Sequence, residues 1–158
     1  MVTPAPAELR IETDSPESTM ALAARLAAVA EPGDLVCLWG ELGAGKTVFA
    51  KGFGAGLGVQ ATINSPSFVL MSEYEGRLPL FHLDLYRLAG PTEIVAGGLL
   101  DERQATGVTL IEWPERLEPI VPAPRLDVRI AGAGTDRRSI SLQAIGSGPE
   151  RYLRIAAP

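Results

Sequence analysis

Leu35-Val36-Cys37-Leu38-Trp39, followed by Gly40-Glu41-Leu42-Gly43-Ala44-Gly45-Lys46-Thr47, is the stretch on which the fold turns. Its first five residues are apolar without alternation, the pattern of a strand buried on both faces. The next eight satisfy G-x-x-x-x-G-K-[ST] at every fixed position, and residues 46–56 continue as a helix. Strand, glycine-rich turn and helix in this order form a loop whose backbone N–H groups can point into one cavity and cradle phosphates. Glycines are needed where the chain bends or comes close to the ligand. The helix N-terminus adds partial positive charge, Lys46 reaches β and γ phosphates as a point charge, and the Thr47 hydroxyl can enter a Mg²⁺ shell. The motif points to nucleotide binding and is silent about the reaction.

Working outward, Leu9-Arg10-Ile11-Glu12-Thr13 alternates as a short strand, and Ser15-Pro16 is a helix start. Ser15 suits the N-cap and Pro16 the first turn, with Leu22, Leu26 and Val29 on one face of a helix over 17–30. Glycines at 52, 54, 56 and 58 predict that the helix after the loop frays. The polar segment Thr62-Ile63-Asn64-Ser65-Pro66-Ser67 is too long for a tight turn; either Ser65 and Ser67 contact a γ phosphate or its water, or the segment is a plain loop. Strands over 68–75 and 80–86, joined across Gly76, predict an antiparallel hairpin, and a short helix is expected to begin at 92–95. A second all-apolar strand spans 107–112, two more span 125–130 and 137–144, and 150–156 reads as a helical turn or a frayed tail. The expected layout is a leader and short strand over 1–14, one domain over 15–145 and a tail over 146–158.

A phosphate-binding loop needs a carboxylate on a neighbouring strand end to serve the metal. Val108-Thr109-Leu110-Ile111-Glu112 supplies one, so Glu112 is the first choice, with the longer side chain also able to orient an attacking water. Its neighbour Trp113 reads either as a core residue or as a surface for a base or a partner. In Phe81-His82-Leu83-Asp84-Leu85-Tyr86-Arg87, alternation puts His82, Asp84 and Tyr86 on one face. Two readings stay open there. Asp84 holds the metal's water shell or senses the γ phosphate while Arg87 reaches phosphate, or the face is simply solvated; His82 alone reads as structural. Arg137-Arg138, in a late strand, can touch nucleotide or a partner, or reads as edge-strand charge serving solubility.

Net charge of -5 and a pI near 4.9 argue against unaided nucleic-acid binding, which needs a cationic face. One cysteine, Cys37, cannot make an internal disulfide and reads as a small core residue. No basic segment leading into an apolar stretch opens the chain, and no apolar run of about eighteen residues occurs, so a cytoplasmic protein without a membrane span is expected.

Together, Gly40 to Thr47, Ser65-Pro66-Ser67-Phe68, His82-Leu83-Asp84-Leu85-Tyr86-Arg87-Leu88 and Ile111-Glu112-Trp113-Pro114 resemble the TsaE family in order and spacing. These are the P-loop ATPase subunits of the bacterial system that makes threonylcarbamoyladenosine in tRNA. The resemblance runs over about 15–142 and implies an α/β fold of the P-loop NTPase kind, a central mixed sheet flanked by helices with an antiparallel hairpin. It also implies binding of ATP and Mg²⁺, slow hydrolysis that is active with TsaB and TsaD partners, and contact with tRNA only through that complex. Carried over, Lys46 and Thr47 keep their loop roles, Glu112 joins Thr47 at the metal, and Asp84 belongs to a switch-like element. Gly43, Ala44, Gly45 and Val48 complete the nucleotide contacts, Trp113 matches the family tryptophan, and Pro16 and Gly134 fall near the base. One departure is Ser67, where the family usually has threonine; the hydroxyl is kept.

Two other functions remain open from the residues. A small-molecule P-loop kinase would need an acceptor pocket and an arginine-bearing lid, for which the glycine-rich 97–107 is a poor candidate. A nucleotide-gated binding module would hydrolyse only incidentally. A GTPase is disfavoured because no Asn-Lys-x-Asp motif occurs.

Overall fold

The computed structural model describes residues 8–64, 71–88, 102–132 and 135–158. The Ser65-Pro66-Ser67 segment, the start of the hairpin's first strand, the helix expected at 92–95, Gly97-Gly98 and Gly134 lie outside them. Strands β1 (Glu8–Thr13), β2 (Leu35–Trp39), β3 (Met71–Tyr74), β4 (Leu80–Asp84), β5 (Val108–Glu112), β6 (Arg125–Ala131) and β7 (Arg138–Ile145) form one sheet in the order β1-β7-β6-β2-β5-β4-β3. The four central strands β4, β5, β2 and β6 run parallel, whereas β7 and β1 on one side and β3 on the other are antiparallel to their neighbours. The hairpin expected from the sequence is β3–β4, pairing Met71 with Leu83 and Tyr74 with Leu80.

Alternation along the inner strands divides the core. Val36, Leu38, Leu110, Val128 and Ile130 pack with helices α1 (Pro16–Ala27), α2 (Lys46–Gly56) and α3 (Glu150–Ala156). Cys37, Ile111, Phe81 and Leu83 point to the opposite face, where Leu117 of the 3₁₀ turn Pro114–Leu117 covers them. Cys37 is thus a fully buried core residue, and burial pushes its thiol far above the ordinary range.

Helix α1 begins as expected. Ser15 Oγ accepts from the Ser18 N–H at 3.0 Å and Ser18 Oγ accepts from the Ser15 N–H at 3.1 Å, a capping box with serine in the reciprocal place. It ends earlier than expected: Val29 and Ala30 N–H groups bond back only three residues, to Leu26 and Ala27 carbonyls, so the last turn tightens before Pro32. Helix α2 corrects a larger misreading, because it does not fray at its glycines. A Cβ on Gly52 would stand 2.4 Å from the Met20 carbonyl oxygen, and one on Gly56 would stand 2.5 Å from that of Ala24. The two glycines let α2 lie directly on the α1 backbone.

At the terminus the helical alternative is the one observed. Tyr152 is buried, its hydroxyl donates to Asp34 Oδ2, and Arg151 bonds the same oxygen while its Nε donates to the Val29 carbonyl at 2.8 Å. Arg25 Nη2 also donates to the Ile155 carbonyl at 2.9 Å, so α3 is tied to the end of α1.

Candidate functional site

The parallel strands all end on one edge of the sheet, where open α/β folds bind ligands. Asp84 pairs with Glu112, Glu112 with Leu38, and Leu38 with Val128 in a single row across it. The glycine-rich loop leaves β2 from this row. Gly43 and Gly45 adopt φ of 81° and 110°, the left-handed region that glycine enters without steric cost, and Gly45 leads directly into α2. The first residues of α2 are then Lys46 and Thr47, as the motif requires.

Lys46 is buried to 5% exposure. Its Nζ donates to the Gly40 carbonyl at 2.5 Å and sits 3.5 Å from the Trp113 ring centroid, within cation–π range. Desolvation pulls the Lys46 pKa down, and the fields of Glu112, Glu115, Asp84 and Glu41 oppose that pull. The ammonium is therefore drawn from water and lies within the field of these acids.

Glu112 is 3% exposed and shares a 2.6 Å hydrogen bond with His82 Nε2. This overturns the solvated face offered for His82: β4 lies between β3 and β5, and His82 is fully buried on the helix side of the sheet. Asp84 sits at the strand end, and its Oδ1 accepts from the Tyr86 N–H at 3.0 Å, turning the chain out of β4. Trp113 follows Glu112 with φ 61°, the sole non-glycine positive φ among the described residues. Such a conformation costs roughly 1–2 kcal/mol. The Tyr86 ring at 4.9 Å and Lys46 hold the indole in that place.

Two spaces flank the loop. One, of about 480 Å³, is lined by Trp39, Gly40, Ala44, Trp113, Glu115 and Arg129. A narrower cleft between the start of α1, the loop and the start of β7 is lined by Pro16, Ala44, Gly45, Val48 and Arg138. The expected nucleotide contacts Pro16, Ala44, Gly45 and Val48 thus come together, and Lys46, Glu112 and Trp113 cluster at the other end of the loop.

Three features escaped the sequence. Arg138 is not edge-strand charge: β7 is flanked on both sides, and Arg138 Nε donates to the Ala44 carbonyl at 2.7 Å, bracing the loop that the other reading of Arg138 would have it serve. Asp127 is buried and accepts from Trp39 Nε1 and Arg125 Nε, both at 2.9 Å, while the Arg129 guanidinium covers the Trp39 ring at 4.5 Å. The alternation of β6 signalled that Asp127 and Arg129 share a face, though not what they touch. The third is the His82–Glu112 pair, whose members lie thirty residues apart in sequence.

Mg²⁺ takes oxygen ligands and, on nucleotides, one or two protein groups plus phosphates and water. Thr47 and Glu112 are a donor set of this kind. Among the described residues no group of three or more His, Cys, Asp and Glu side chains forms a cage, and a nucleotide-borne ion does not require one. No helix among them is long and apolar enough to cross a membrane.

A mixed sheet whose parallel strands converge on a glycine loop followed by Lys46 and Thr47 defines an α/β protein with the P-loop fold. The crystal structure of Bacillus subtilis YdiB has that architecture: it superposes with a TM-score of 0.78 at 39% identity, covering 98% of this chain and 97% of that one. The profile of the family "Threonylcarbamoyl adenosine biosynthesis protein TsaE" matches residues 13–140, and the chain belongs to this family. Among its relatives, the tRNA threonylcarbamoyladenosine biosynthesis protein TsaE of Bacillus subtilis (strain 168) is 44% identical over 141 residues, 89% of this chain and 88% of the relative. That of Streptomyces coelicolor is 40% identical over 118 residues, 73% and 80% of the two chains. The family role is in tRNA threonylcarbamoyladenosine biosynthesis.

Proposed function

We propose that the chain binds and hydrolyses ATP with Mg²⁺ in the cytoplasm, and that hydrolysis acts on a TsaB–TsaD-type complex in tRNA threonylcarbamoyladenosine formation. The observation that carries this reading is the burial of Lys46 and Glu112 together at the phosphate loop, Glu112 being first among the acids whose field acts on the Lys46 charge. On this reading Lys46 exchanges its contacts with Gly40 and Trp113 for the β and γ phosphates, and the loop N–H groups bind the remaining oxygens. Thr47 and Glu112 would hold the cation, which when bound neutralises charge on the phosphate oxygens. Asp84, beside Glu112 in the strand row, is suited to orient a water or to sense the γ phosphate. Pro16 and Val48 offer apolar surface to the base. The net charge of -5 fits a subunit that leaves the RNA to its partners.

The test is ATP turnover by the full chain, alone and with added TsaB and TsaD. Stimulation by the two proteins is expected. Faster turnover with a small-molecule phosphate acceptor than with the proteins would make the chain a kinase instead.

A further inference from the structure

Glu112 stands where such loops commonly use Asp, and its side chain has one more rotatable bond to restrain. In this fold the restraint comes from the neighbouring strand. β4 and β5 are parallel and in register, His82 lies opposite Leu110, two residues before Glu112, and both side chains point to the helix-bearing face. His82 Nε2 and Glu112 Oε2 are 2.6 Å apart, the separation of a charge-assisted bond, and both residues are withdrawn from water.

The ring's other nitrogen settles which way the bond runs. His82 Nδ1 is buried and has no partner among the described residues. A proton on Nδ1 would orphan a buried donor and set the Nε2 and Oε2 lone pairs against each other. With the proton on Nε2 the imidazole donates to the carboxylate, and only an acceptor goes unpaired, the less costly arrangement. His82 therefore occupies Oε2 of Glu112, and Oε1 is the carboxylate oxygen that this bond does not use.

We propose that His82 is a positioning residue: by donating from Nε2 to Oε2 it fixes the Glu112 carboxylate so that Oε1 faces the divalent cation of a bound nucleotide. This inference rests on Glu112 serving the metal, as set out above. Donors of this kind behind a ligating carboxylate hold its orientation, and losing one weakens metal binding more than it weakens the fold. The role needs a donor at one place and no change of charge, so an uncharged amide with the same reach should replace it.

The experiment titrates MgCl₂ into the full chain with a non-hydrolysable ATP analogue and follows nucleotide binding by calorimetry. Analogue affinity in EDTA and the melting temperature of the free protein are measured alongside. His82→Phe, which cannot donate, and His82→Asn, whose amide is too short to reach Glu112, are expected to raise the half-saturating Mg²⁺ concentration by about tenfold or more while EDTA affinity changes less than about twofold. His82→Gln, whose Nε2 has the reach of the imidazole Nε2, should recover Mg²⁺ dependence to within about threefold. The proposal is overturned if whichever disconnecting variant folds keeps the wild-type Mg²⁺ dependence, or loses EDTA affinity in equal measure. It is also overturned if His82→Gln behaves like His82→Asn. Glu112→Gln separates the two levels: no effect of that variant on Mg²⁺ dependence removes the metal reading itself, whereas a shift there without one in the His82 variants removes only the role of His82.

Discussion

The Lys46 ammonium rests 3.5 Å from the centroid of the Trp113 ring while donating to the carbonyl of Gly40, the first residue of its own loop. Phosphate oxygens are stronger partners for it than either. Nucleotide binding should therefore lift the cation off the indole and change the emission of Trp113. The other tryptophan, Trp39, is held by Asp127 and Arg129. The expected result is a nucleotide-induced fluorescence change that survives Trp39→Phe and disappears in Trp113→Phe. A change that tracked Trp39 instead would mean that Lys46 stays on Trp113 with nucleotide bound.

Asp84 and Glu112 are register partners with different surroundings, and their variants should differ accordingly. Glu112 is buried with a single histidine donor, whereas Asp84 accepts the Tyr86 N–H at the strand end. Asp84→Asn keeps an acceptor for that turn and removes the charge. We expect it to lower kcat for ATP hydrolysis by about a hundredfold with a much smaller change in ATP affinity. Lys46→Ala and Glu112→Ala should abolish hydrolysis, and Glu112→Ala should also weaken Mg²⁺-dependent nucleotide binding. Equal losses of kcat and affinity in Asp84→Asn would assign Asp84 to the fold.

These contrasts mark how far the sequence could be read. The phosphate loop was fully legible because its chemistry is contiguous: the apolar run of β2, the glycines, Lys46 and Thr47 are one local pattern. Glu112 was legible as the polar end of an apolar strand. His82 was not, since its meaning depends on β4 lying parallel beside β5, which period-two alternation does not encode. The two readings of Arg138 could not be separated for the same reason, because a flanked strand and an edge strand share one local pattern. Gly52 and Gly56 misled differently. Helix propensity counts what glycine costs the isolated helix and is blind to a second backbone lying against it.

Gly52 turns that last point into a measurement. Propensity alone makes Gly52→Ala stabilising by about 1 kcal/mol, since the position is inside α2. The added methyl would lie 2.4 Å from the Met20 carbonyl oxygen and 2.5 Å from its Cα, both backbone atoms that cannot rotate away. Overpacking of this sort costs roughly 1–3 kcal/mol and here should outweigh the gain. The variant is expected to melt lower, by about 2–4 °C for each kcal/mol of net loss. A higher melting temperature would show that α1 and α2 separate easily and that propensity governs the site.

Tyr152 supplies the pH dependence. Burial, followed by the hydrogen bond and charge of Asp34, pushes its phenol well above the ordinary value. The unfolded chain ionises this group near pH ~10, whereas the folded chain keeps the proton. Its contribution is therefore fully present below about pH 10 and is lost as pH rises further, because only the unfolded state releases the proton. Tyr152→Phe removes both the titration and the bond to Asp34, costing about 1 kcal/mol at neutral pH. In denaturant melts the wild-type chain should lead the variant at pH 7, and the gap should narrow as pH climbs above ~10. A gap that stayed constant or widened on the alkaline side would show that the Tyr152 proton is not held by the fold.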